Sequence, residues 1–233
     1  GTYYEEAGAL RDVVQNHIMQ LLAVVAMEPP VNFEADSIRD EKVKVLRALR
    51  KMTTADVRSD VVRASYGEGV IGGQDVPAYR DEEGVAPGSQ TETYVAARLF
   101  VDNWRWKGVP FYLRSGKRLA KRATEIAIQF KKVPHLLFGM SNPEGVPPNV
   151  LAIRIQPDEG ISITFEAKEP GPAMRVQPVN MDFGYGESFS RVSPDAYERL
   201  LLDVLLGDQT LFIRRDETEA AWGAVMPILN SWD

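Results

Sequence analysis

Two groups of side chains in this sequence could do chemistry. The first is Asp12, Gln15, Asn16 and His17, polar residues set inside an otherwise apolar run, YYEEAGALRDVVQNHIMQLLAVVAM (residues 3–27). An imidazole exchanges protons near neutral pH, so a histidine with a carboxylate and a carboxamide nearby suits general acid–base work. A histidine satisfied inside a core, with Asp12 and Asn16 on the wet face, reads the same residues equally simply. The second group is basic. Residues 114–132 hold Arg114, Lys117, Arg118, Lys121, Arg122, Lys131 and Lys132 against the single acid Glu125. Its sharpest part, LRSGKRLAKR, runs from an apolar stretch into Ser115-Gly116 and then Lys117. Glycine permits close backbone approach, and the cations can hold a dianion. The bland alternative is a solvated strand edge, which Lys and Arg commonly guard.

Joined, the two groups suit proton abstraction from a small phosphorylated metabolite. One geometric difficulty stands. On an ideal α-helix Asp12 and His17 lie about 140° apart. They share a ligand only if a pocket wraps the helix, and the carboxylate that would orient the imidazole is not identifiable in the chain.

The elements that must position these residues follow from periodicity. Leu10, Val14, His17, Leu21 and Val25 recur at helical spacing, so residues 3–27 read as one long helix, ended by Pro29 and Pro30. Residues 36–51 read as a second amphipathic helix, and 57–66 as a helix end or short strand. The glycine-rich stretch 67–89 reads as a surface loop: no Gly-Lys-Ser/Thr follows it, and no strand–helix frame surrounds it. From 91 to 106 the chain alternates, with Val95, Ala97, Leu99 and Val101 on one face, which predicts a long strand. Further strands are expected over 109–113, 123–130, 150–155, 161–167 and 176–183, with a long connection over 134–148. Ser193-Pro194-Asp195 predicts a helix start, Tyr197, Leu200, Leu201, Val204 and Leu205 its apolar face, and Asp216 the cap of a last helix. The order of helices, strands, then helices implies an α+β fold: a large, mostly antiparallel sheet with helices packed on one face.

Composition excludes several classes. The chain has 233 residues, no cysteine and a net charge of −6. Thiolate chemistry and disulfides are out, and neither nucleic acid nor an anionic membrane is an expected partner. No apolar stretch is long enough to span a bilayer. The chain opens at Gly1 without an initiator methionine, so a processed or truncated product is expected.

Four stretches carry a family resemblance: YYEEAGALRDVVQNHIMQLLAVVAMEPP, PGSQTETYVAARLFVDNWRWKGVPFYLRSGKRLAKR, IQPDEGI and SPDAYERLLLDVLLGDQTLFIRRDE. Together they resemble the glucose-6-phosphate dehydrogenases over essentially the whole chain. The resemblance implies oxidation of D-glucose 6-phosphate to 6-phospho-D-glucono-1,5-lactone with NADP+, the first step of the oxidative pentose phosphate pathway, in the cytoplasm. It implies His17 as the general base that deprotonates the anomeric hydroxyl, Asp12 as a ligand of sugar hydroxyls, and Lys117 and Arg122 as substrate-binding cations. It also implies a homodimer or homotetramer formed through the sheet. The family's dinucleotide-binding domain, with its glycine fingerprint, is absent from this sequence. So is the motif that supplies the aspartate paired with the histidine. The chain is therefore expected to be a single C-terminal domain over residues 1–233, bearing half an active site, with NADP+ bound mainly outside it and no turnover alone. A second, structural NADP+ is not expected, because Ala123, Ala127 and Thr164 stand where relatives carry cations. A non-catalytic anion-binding or assembly domain is the competing reading; it accounts for the basic turn but not for Asp12 and His17.

Overall fold

A computed structural model describes residues 2–133, 146–173, 175–189 and 196–232. The expected connection over 134–148 and the helix start at 193–195 fall largely outside these residues. The chain divides into two compact units, residues 1–119 with 196–233, and residues 120–195. The α+β class and the antiparallel pairing are as expected. Among the described residues the strands are shared among three sheets of three, two and four strands.

The first unit opens with α1 (Thr2–Ala9), a π-helical segment (Leu10–Ile18) and α2 (Met19–Ala26), continuous in sequence but not one straight helix. Then come α3 (Ala35–Arg47), α4 (Thr54–Asp60) and β1 (Val61–Ala64), which settles residues 57–66 as a helix end followed by a strand. Thr53 starts α4 with a reciprocal cap: its hydroxyl accepts from the Asp56 amide while the Asp56 carboxylate accepts from its own. The glycine-rich stretch forms a hairpin, β2 (Gly69–Ile71) with β3 (Gln74–Val76). β4 (Tyr94–Phe100) lies between β1 and β5 (Pro110–Gly116), with Val61 opposite Ala97 and Tyr94 opposite Gly116. β4 is shorter than expected because the Asn103 side chain accepts the Trp106 amide at 2.8 Å and turns the chain.

The alternation in β4 is as read: Val95, Ala97, Leu99 and the following Val101 are buried. They pack with Leu10 and Val14 of the π segment, Met19 and Ala23 of α2, Leu46 of α3, and Val225 and Ile228 of α7 (Arg215–Leu229). α7 starts at Arg214 rather than Asp216, with the Glu217 carboxylate accepting the Arg214 amide at 3.0 Å. α6 (Ala196–Leu206) departs from expectation: Leu201, Val204 and Leu205 are exposed, and the buried residue is Asp203, paired with Arg199 at 2.9 Å.

The second unit is a four-stranded antiparallel meander. β6 (Thr124–Gln129), β7 (Val150–Gln156), β8 (Gly160–Lys168) and β9 (Val176–Gly184) pair in sequence order, followed by the short α5 (Tyr185–Phe189). Each strand matches an expected one to within a few residues. Among the described residues no helix is long and apolar enough to cross a membrane.

Candidate active site

The polar group around His17 sits on the π segment, and the cause of that irregularity is local. Gly8 has φ 69° and ψ 171°, a backbone region essentially reserved for glycine. It interrupts the helical hydrogen-bond ladder. In an unbroken α-helix the Ala9 amide would bond the Glu5 carbonyl. Here the Thr91 hydroxyl donates to the Glu5 carbonyl at 2.7 Å, and the Ala9 amide donates to the Glu92 carbonyl at 3.0 Å. The next amide, Leu10, donates to Glu92 Oε1 at 2.9 Å. Beyond it the ladder closes over five residues instead of four, as where the Met19 amide reaches the Val14 carbonyl.

This changes the relation between Asp12 and His17. A turn of i→i+5 bonds spans more than four residues, so residues five apart come to within roughly 50° of each other. The 140° separation of the ideal helix does not apply, and no pocket has to wrap the helix. His17 is exposed, which removes the core-histidine reading. Its imidazole has no hydrogen-bond partner among the described residues. Asp12 is half-buried and accepts a long hydrogen bond, 3.5 Å, from the Tyr3 hydroxyl.

Lys117 comes to the same end of the unit. The Gly116 that precedes it has a reason unrelated to anions: a Cβ there would lie 2.7 Å from Tyr94 Cδ2, its partner across the strands. The Lys117 amide donates to the Thr93 carbonyl at 2.9 Å. Its ammonium lies 4.7 Å from the centroid of the Tyr4 ring, within cation–π range. Tyr4 thus ties the lysine to the helix that carries Asp12 and His17. Burial, and then the charges of Glu92 and Asp12, push the Tyr4 phenol well above its ordinary range. Behind it, Tyr79 meets Tyr4 and Tyr66 edge to face, and its hydroxyl donates to Glu5 Oε2 at 2.6 Å. Burial opposes charge on Glu5, but hydrogen bonds from Tyr79, Ser89 and the Ala86 amide outweigh it and hold the carboxyl below its usual range.

Lys117 and Asp12 thus both lie near Tyr4, and His17 follows on the same helical segment as Asp12, all within the first unit. Arg122 belongs to the second, exposed just ahead of β6. The LRSGKRLAKR run crosses the boundary between the units. Sequence reasoning missed Tyr4 and Glu92. Both lie inside stretches noted above, but neither periodicity nor charge marks them out.

The Tyr4 hydroxyl is buried without a hydrogen-bond partner among the described residues. A buried, unpartnered hydroxyl costs about 1–3 kcal/mol. Tyr4→Phe keeps the ring under Lys117 and is expected to raise the melting temperature by a few degrees, at about 2–4 °C per kcal/mol for a chain of this size. A lower melting temperature would mean that the hydroxyl has a partner worth keeping.

The residues 1–233 match a family model described as the glucose-6-phosphate dehydrogenase C-terminal domain. The glucose-6-phosphate 1-dehydrogenase of Mycolicibacterium smegmatis is 52% identical over 233 residues, covering 100% of this chain and 46% of that protein. The Bacillus subtilis protein of the same name is 49% identical over 230 residues, covering 99% and 47%. Among solved structures, a glucose-6-phosphate dehydrogenase in complex with its substrate glucose-6-phosphate superposes with a TM-score of 0.86 at 40% identity, over 98% of this chain and 45% of that one. The chain spans about half the length of the curated relatives it matches. With the π-helical Asp12–His17 segment and the Lys117 turn inside the matched region, the chain belongs to the glucose-6-phosphate dehydrogenase C-terminal domain family.

Proposed function

We propose that this chain is the sugar-binding part of an enzyme that oxidises glucose 6-phosphate at its anomeric carbon to the 1,5-lactone. The observation that carries this reading is the π segment. Its wide turn reduces the angle between the exposed His17 and the half-buried Asp12 to roughly 50°, and the Lys117 ammonium is tied to the same stretch of chain through Tyr4. In this reading His17 takes the proton of the anomeric hydroxyl, which raises electron density on the oxygen as the ring carbon is oxidised. Asp12 accepts hydrogen bonds from sugar hydroxyls and fixes the ring. Lys117 supplies positive charge for the substrate.

The hydride acceptor proposed for the whole protein is NADP+. The glycine-rich stretch does not fit it. The glycine-rich stretch that could cradle a pyrophosphate folds as the β2–β3 hairpin, not as a strand, tight loop and helix N-terminus. The steps assigned to this chain are therefore proton removal and sugar binding alone.

Titrating the chain with glucose 6-phosphate while following the imidazole NMR signals tests the reading. The sequence has two histidines, His17 and His135, so one variant assigns them. The His17 signal is expected to shift and saturate with glucose 6-phosphate and to move little with glucose. Equal responses to both sugars would remove the role given to Lys117. No response to either would remove this chain as a preformed sugar site.

A further inference from the structure

We propose that Glu92 is a positioning residue that sets the π-helical register of the Asp12–His17 segment; this rests on the function proposed above. Three consecutive residues meet the site elements in turn. The Thr91 hydroxyl occupies the Glu5 carbonyl, at 2.7 Å. Glu92 takes the two amides beyond the Gly8 break, Ala9 through its main-chain carbonyl and Leu10 through its carboxylate. Thr93 holds Lys117 by a carbonyl bond of 2.9 Å, and its hydroxyl accepts the Tyr66 amide at 2.9 Å.

The strap therefore replaces part of the helix's own ladder. A side chain inserted into the i→i−4 pattern is a recognised cause of helix breaks. Glu92 is 5% exposed, and a Cβ on Gly8 would collide with the Glu92 carboxylate. The glycine and the carboxylate fit each other: any side chain at residue 8 would displace the group that satisfies Leu10. Without the carboxylate, the Leu10 amide has no acceptor where it stands. It can recover one by rejoining an α-helical ladder, which would swing Asp12 and His17 apart again. Because Thr93 adjoins Glu92, the same strap sets the Lys117 turn, so both halves of the site share one anchor. Glu92 touches no reacting atom in this scheme.

The test uses the intact dehydrogenase of which, on that reading, the chain is part, with Glu92→Ala, Glu92→Gln and, as a control, His17→Asn. Amide hydrogen exchange over residues 9–19 is measured alongside kcat and KM. Glu92→Ala is expected to lose protection at Leu10 and to lower kcat about 100-fold, the usual scale for a misplaced catalytic group. Glu92→Gln keeps an accepting oxygen and is expected to restore protection and most of kcat. A merely structural role would lower the melting temperature and leave kcat unchanged at temperatures where the variants are folded; that result overturns the proposal. Unchanged protection at Leu10 in Glu92→Ala also overturns it. If Glu92→Ala does not fold, Glu92→Gln decides alone, since protection lost in that variant contradicts the acceptor role. Unaltered kcat in His17→Asn would sink the functional reading, while the exchange data would still report on Glu92.

Discussion

Replacing His17 with asparagine in the intact enzyme proposed above is expected to lower kcat by about 10²–10⁴-fold, the range for loss of a positioned base. The melting temperature is expected to stay where it was. The structure makes this separation clean, because His17 is exposed and bonds no other described side chain. A histidine that stabilised the helix through packing or a hydrogen bond would lose both quantities together. Steady-state kinetics and a thermal melt on the same preparation check both. A large fall in melting temperature with kcat intact would assign His17 a structural role and return the chain to the anion-binding alternative.

The second large effect concerns Lys42 and Glu217, which join α3 to α7. Both side chains are buried, Glu217 completely, with Nζ and Oε2 2.6 Å apart. The other carboxylate oxygen accepts the Arg214 amide at the start of α7. Lys42→Met leaves that carboxylate in the core without its counter-ion. Removing one partner of a buried pair costs about 3–5 kcal/mol, which corresponds to roughly 6–20 °C in melting temperature at this chain length. The double variant K42M/E217Q is expected to recover more than half of the loss. Its carboxamide oxygen still accepts the Arg214 amide, and no charge is left buried. If the double variant melts no higher than K42M, the loss came from packing rather than from the stranded charge.

Regular elements were legible in the sequence where one face is buried. β4 could be read from Val95, Ala97, Leu99 and Val101 because a period of two has no other simple origin. The four strands of the second unit followed from the same pattern and their turns. The break at Gly8 was not legible. A glycine in an apolar helical run reads as tolerated, and the groups that make it a break come from Thr91 and Glu92, more than eighty positions away. The 140° between Asp12 and His17 was a sound deduction from an ideal helix, and it failed for that reason. The LRSGKRLAKR run read as one basic turn, yet its two substrate-binding candidates fall on different units, because charge density carries no mark of where a chain passes from one body to the next. On α6 the leucines lie at helical spacing but are exposed; periodicity shows that a helix has an apolar side, not what that side faces.

The π segment also bears on how this chain can change over evolutionary time. A turn closed over five residues holds one residue more than an α-turn, so the stretch is equivalent to a single inserted residue retained within a helix. Deleting one residue between Leu10 and Ile18 would return the α register with the flanks close to where they now stand, because the wide turn already absorbs about the 100° that one residue adds. Gly8 can then stay against Glu92 and the buried faces of Met19, Leu22 and Ala23 can stay inward. Substitutions at exposed Arg11 or Asn16 leave that register intact. A lineage that lost a residue here would keep the packing of the helix and change which polar residues share its exposed face.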